Sequence, residues 1–81
     1  MKKDGFSVRI YTNDHLPSHV HVIKAGGEAK INLGSETEDP SLIQIWNMSD
    51  GDVKKALQLI FVHQTELLKK WSEIHEELEF N

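Results

Sequence analysis

Apolar and polar positions alternate along the first part of the chain and recur every three to four residues along the last part. From Ser7 to Thr12, Val8 and Ile10 alternate with Ser7, Arg9 and Tyr11, the period of a strand with one buried face. The same alternation spans residues 19–24 and 28–33, where Ala29, Ile31 and Leu33 oppose Glu28, Lys30 and Asn32. Between those runs Ala25-Gly26-Gly27 supplies the positive φ that a tight hairpin demands. Asn13, Asp14 and Pro17 punctuate the connection from the first strand, at 7–12, to the second. After a polar, acidic segment at 34–41, residues 42–46 offer a short fourth strand.

The C-terminal pattern is helical. Ser49 with Asp52 three residues on has the form of a loose capping box. Val53, Leu57, Ile60, Leu67, Trp71, Ile74 and Leu78 then form one stripe at alternating four- and three-residue steps, interrupted by Gln64. This spacing predicts a helix over about residues 50–78, roughly 40 Å long, with His63–Thr65 as the place for a kink. The expected fold is therefore a single α+β domain over 1–81: a three- to four-stranded antiparallel β-meander packed against one long C-terminal α-helix. A sheet with an apolar face needs a lid, so the stripe is expected to cover it. Beyond Ile74 the helix would overhang, where a second copy could meet it in a homodimer.

The chain has 81 residues and no Cys, which excludes disulfides, thiolate nucleophiles and Cys-ligated zinc. Nine Lys and Arg against 13 Asp and Glu give a net charge of −4, contrary to the strongly basic surface of a protein that coats nucleic acid. The charge is uneven: residues 1–34 carry five basic and three acidic side chains, and residues 35–81 carry four and ten. No apolar run approaches the ~20 residues of a membrane span, so a cytoplasmic protein without membrane contact is expected.

Chemistry concentrates in Asn13-Asp14-His15-Leu16-Pro17-Ser18-His19-Val20-His21-Val22, with three His in seven positions. On a strand His19 and His21 share one face, and Val20 and Val22 the other. With the valines in the core, the two imidazoles should lie on the sheet face turned away from the helix. Arg9 and Tyr11 should share that face, flanked by Lys30 and Asn32.

Three chemistries suit such a surface. His15, His19 and His21, with Asp14 beside them, could ligate a divalent metal such as zinc. Alternatively His19 and His21 could act as acid and base on RNA, with Arg9 or Lys30 stabilising the developing charge. The third is recognition of an anionic or protein partner, with Tyr11 and Lys30 on the contact surface. The plainer account is that these are polar side chains on a wet face and that Asp14 caps a turn. Outside the cluster, His63 sits near the apolar stripe, Trp71 reads as a core anchor, and His75 among acids reads as a solvated side chain. No phosphate-binding loop, nucleophile elbow or metallohydrolase spacing is present, so whether the protein is an enzyme is open at this stage.

The run Asn13–Val22 resembles the signature of a bacterial family of small proteins catalogued as domain of unknown function 4160. That family shows a strand, an Asp-His, a Pro-rich turn and His-aromatic-His-Val, then a helix with a His, a Glu-Leu pair and a Trp. Here the helical part is His63-Gln64-Thr65-Glu66-Leu67-Leu68-Lys69-Lys70-Trp71, and the resemblance spans roughly residues 5–75. Ser18 replaces a usual second Pro and Val20 a common Phe; both departures leave the three His intact. Members of that family often neighbour a second small domain of unknown function, number 2442, in an arrangement that looks like a toxin–antitoxin pair. The resemblance thus implies a small protein partner and an interaction module in a two-gene system, with His-based RNA cleavage as its enzymatic form.

Overall fold

A computed structural model describes residues 1–79, with side chains through His75. Five strands form one antiparallel sheet in the order β1-β2-β3-β4-β5: Lys2–Lys3, Phe6–Arg9, His19–Lys24, Gly27–Asn32 and Ser41–Trp46. Two helices follow, α1 at Asp50–Val62 and α2 at Gln64–Glu79. The class is α+β and the sheet is a meander. It has five strands rather than three or four, and two helices rather than one.

The departures in the strands have local causes. The extra strand β1 joins β2 through Asp4 and Gly5, both at positive φ, and the amino terminus donates to Val8 O at 3.0 Å. β2 stops at Arg9, short of Thr12. The Tyr11 N–H is taken by Asp14 Oδ2 at 3.1 Å, and Asp14 N–H donates to Tyr11 O at 3.1 Å, so the chain turns instead of extending the ladder. β3 and β4 are joined by the expected tight hairpin, with Ala25 at φ 50° and Gly26 at φ 80° as its two turn residues and Gly27 already paired in β4.

The helix divides at His63. Immediately after it, the Gln64 side-chain Nε2 lies 2.7 Å from Leu33 O, 2.9 Å from Ser35 O and 2.7 Å from Glu38 O. The polar interruption in the apolar stripe thus shares its two N–H groups among three carbonyls of the β4–β5 connection. α1 begins as its sequence implies, Ser49 Oγ accepting from Asp52 N–H at 3.2 Å.

Phe6, Val8, Val20, Val22, Ala29, Ile31 and Leu33 form the sheet half of the core. Val53, Ala56, Leu59 and Ile60 of α1 cover it, and Leu67 and Trp71 of α2 extend it. Leu57 and Ile74 are half-buried, while the side chain of Leu78 lies outside the described residues. No helix among the described residues is long and apolar enough to cross a membrane.

Candidate metal centre

The pairing register places the histidines where the alternation puts them. His21 stands opposite Arg9 on β2 and opposite Lys30 on β4, and His19 stands opposite Asn32. The surroundings differ from the expectation of a wet outer face. His19 is only 4% exposed, with its ring centroid 5.2 Å from that of Trp71 on α2. The second helix carries Trp71 to His19, so the opening residue of β3 is covered on the side that alternation alone assigns to solvent.

Each imidazole is held at Nδ1 by a different acceptor. His19 Nδ1 lies 2.8 Å from Pro17 O, and His21 Nδ1 lies 3.0 Å from the Glu28 carboxylate. In a neutral ring, donation through Nδ1 leaves Nε2 as the lone-pair nitrogen; in a protonated ring Nε2 donates, and His21 Nε2 lies 3.4 Å from Asp14 Oδ1. Both Nε2 atoms face Asp14: His19 Nε2 is 3.4 Å from Oδ1, and His21 Nε2 is 3.3 Å from Oδ2. The reciprocal Tyr11–Asp14 turn fixes the carboxylate from the other side.

His19 Nε2 is fully buried and within ion-pair range of Asp14, yet its geometry makes no hydrogen bond. Burial alone pushes the Asp14 carboxyl upward. The Tyr11 amide, the hydrogen bond to His21 and the charge of protonated His19 and His21 outweigh that effect and hold it below its ordinary value.

The structure therefore unites three of the four residues named as metal ligands. Asp14, His19 and His21 offer one ligand atom each, all within 4.8 Å of one another. His15 is exposed and stands outside this group, because the turn at Asp14 sends the chain outward before Pro17 brings it back. Arg9 is also exposed, its Nε donating to Ser7 Oγ at 3.4 Å. The Tyr11 ring packs 4.7 Å from that of His21.

Two participants were not singled out from the sequence. Glu28 orients His21, and its position two residues from Lys30 on the same strand face is the signal that would have found it. His75 is the other. Rather than standing in solvent among acids, it stacks on Trp71 at 3.8 Å and brings Nε2 to 3.2 Å from Asp14 O. Tyr11, His21, His19, Trp71 and His75 thus form a continuous chain of ring contacts. His63 faces Glu66 one turn on, away from this group.

A cavity of about 560 Å³ lies between β2 and α2 and is lined by none of the three ligand residues. A smaller one, about 320 Å³, is bordered by Asp14 and His19 together with His15 and Lys30.

The family described as domain of unknown function (DUF4160) matches residues 5–72, and the chain belongs to it. No curated protein and no solved structure matches the chain.

Proposed function

We propose that this member of the DUF4160 family binds a divalent metal ion, zinc foremost, through Asp14, His19 and His21. The observation that carries this reading is His19 Nε2, a buried acceptor with no hydrogen bond, aimed at a carboxylate and beside a second imidazole. Leaving such an atom unpaired costs about 1–3 kcal/mol, a cost that coordination removes.

The spacing supports the same reading. Ligands about 2.0–2.1 Å from a tetrahedral ion stand about 3.3–3.4 Å apart; Asp14 Oδ1 is 3.4 Å from Nε2 of both His19 and His21, and the three ligand atoms lie within 4.8 Å of one another, a set that would contract around a bound ion. Pro17 O and Glu28 occupy the outer positions that orient ligating histidines through Nδ1. Three protein ligands leave a position for water or an oxygen ligand, where a bound ion acts as a Lewis acid. Burial of His19 favours an ion over RNA cleavage, since coordination needs one lone pair whereas acid–base work on a ribose needs both rings at the surface.

Zinc titration of the chelator-treated, tag-free chain tests this. One equivalent should bind, and Asp14→Asn and His21→Ala should each abolish stoichiometric binding, with circular dichroism confirming that each variant folds. His15→Ala should bind as the parent does. Equal binding by the parent and folded Asp14→Asn would refute the assignment.

A separate observation supports the reading as an interaction module. All six residues of β5 are exposed, with Trp46 at 73%, and Leu42, Ile43, Ile45 and Trp46 carry no charge along a free sheet edge. Such an edge takes an added antiparallel strand. We infer that the protein partner suggested by the toxin–antitoxin-like arrangement docks here rather than on the His-bearing face. Ile43→Lys with Ile45→Lys should then abolish partner capture without changing zinc binding; unaltered capture would exclude β5.

A further inference from the structure

We propose that the 320 Å³ cavity beside the metal centre binds a phosphate group, as inorganic phosphate or a small phosphate monoester, between the ion and Lys30. This rests on the metal assignment above. Its own observations are the lining of the cavity and the charge within it.

Asp14 and His19 form part of the cavity wall, and the cavity's volume is within the range of small-ligand sites. Lys30 enters the same space. Its position is set by register, directly across β4–β3 from His21, and it has no carboxylate partner among the described residues. The nearby carboxylate on its own strand face, Glu28, is already committed to His21 Nδ1.

Charge arithmetic then selects an anion. A divalent ion, the Asp14 and Glu28 carboxylates, two neutral imidazoles and the Lys30 ammonium sum to about +1 in an open recess. A phosphate group neutralises that charge, with separate oxygens for the ion and for the ammonium. The exposed His15 imidazole borders the cavity and adds a further hydrogen-bonding group. Leu16 and Ile43 supply apolar wall, which suits an ester with a small organic portion. The histidine that stands outside the ligand set thereby acquires a place at the mouth of the site.

The test uses cobalt(II) as the metal, because its visible absorption reports a change of ligand. The parent chain and Lys30→Gln are loaded with one equivalent and titrated with inorganic phosphate, phenyl phosphate and acetate. Both proteins should bind cobalt with equal affinity. Phosphate and phenyl phosphate should shift the parent spectrum, and Lys30→Gln should weaken both about tenfold or more, the loss expected for one charge-assisted hydrogen bond. A tighter response to phenyl phosphate than to phosphate would identify the ester as the better ligand and support the apolar wall.

Three results would overturn the proposal. In one, cobalt binds but the spectrum ignores both phosphates; in another, Lys30→Gln responds as the parent does; in the third, acetate matches phosphate. Failure of the parent to bind cobalt would instead refute the metal assignment, so the two failures are distinguishable.

Discussion

The indole of Trp71 lies with its ring centroid 5.2 Å from that of His19, joining the second helix to the first residue of β3. This contact buries one imidazole of the cluster and makes the other half of the chain part of the site. It also supplies an optical reporter. The chain has two Trp, and the second, Trp46, is exposed on β5. In Trp46→Phe, one equivalent of copper(II) should quench the remaining emission. The same titration of Trp46→Phe with Asp14→Asn should leave emission nearly constant. Equal quenching in both would separate Trp71 from the metal centre.

Asp14 gives stability a defined pH dependence. Its carboxyl is held below the ordinary value in the folded chain, so the fold favours the ionised form. The stabilisation is therefore complete above about pH 4 and is lost as pH falls through the lower folded-state value. Urea denaturation in the presence of chelator, at a series of pH values, should show the parent losing more stability below about pH 4 than Asp14→Asn does. Parallel profiles would contradict the assigned direction.

Gln64 joins the helix break to the loop after β4 by three carbonyl contacts. Gln64→Leu keeps the volume but removes the donor, leaving those oxygens to compete for water. It should cost about 1–3 kcal/mol in urea denaturation, against less than about 0.5 kcal/mol for Gln58→Leu on the exposed side of α1. Equal effects would show that the break owes nothing to this anchor.

Ala25 occupies a left-handed conformation at φ 50°, where its Cβ crowds the following carbonyl. Ala25→Asn, which tolerates that region, should raise stability by about 0.5–1 kcal/mol with no change in zinc affinity. A loss of stability would mean that the Ala25 side chain contributes packing that outweighs the strain.

Much of this arrangement is determined by residues close together in the chain. The alternation through Val20 and Val22 assigns His19 and His21 to a common strand face, and the Ala25-Gly26 turn pairs β3 with β4 in the register that sets Lys30 opposite His21. The Ser49 cap and the apolar stripe locate the helical half. These features were legible because a period of two or three and a half, and the φ of a turn, are properties of short segments.

Tertiary structure decided the rest. Alternation names a face but not what covers it, and His19 is buried by a Trp far along the chain. The interrupted stripe marks where the helix breaks, but the carbonyls about 30 residues earlier that Gln64 meets there are invisible to helical periodicity. Of the four residues that the sequence offered, Asp14 stays with His19 and His21 while His15 stands apart, because one reciprocal turn orients two adjacent side chains differently. Local sequence dictates which atoms could serve as ligands; only the path of the folded chain brings those of Asp14, His19 and His21 within 4.8 Å of one another.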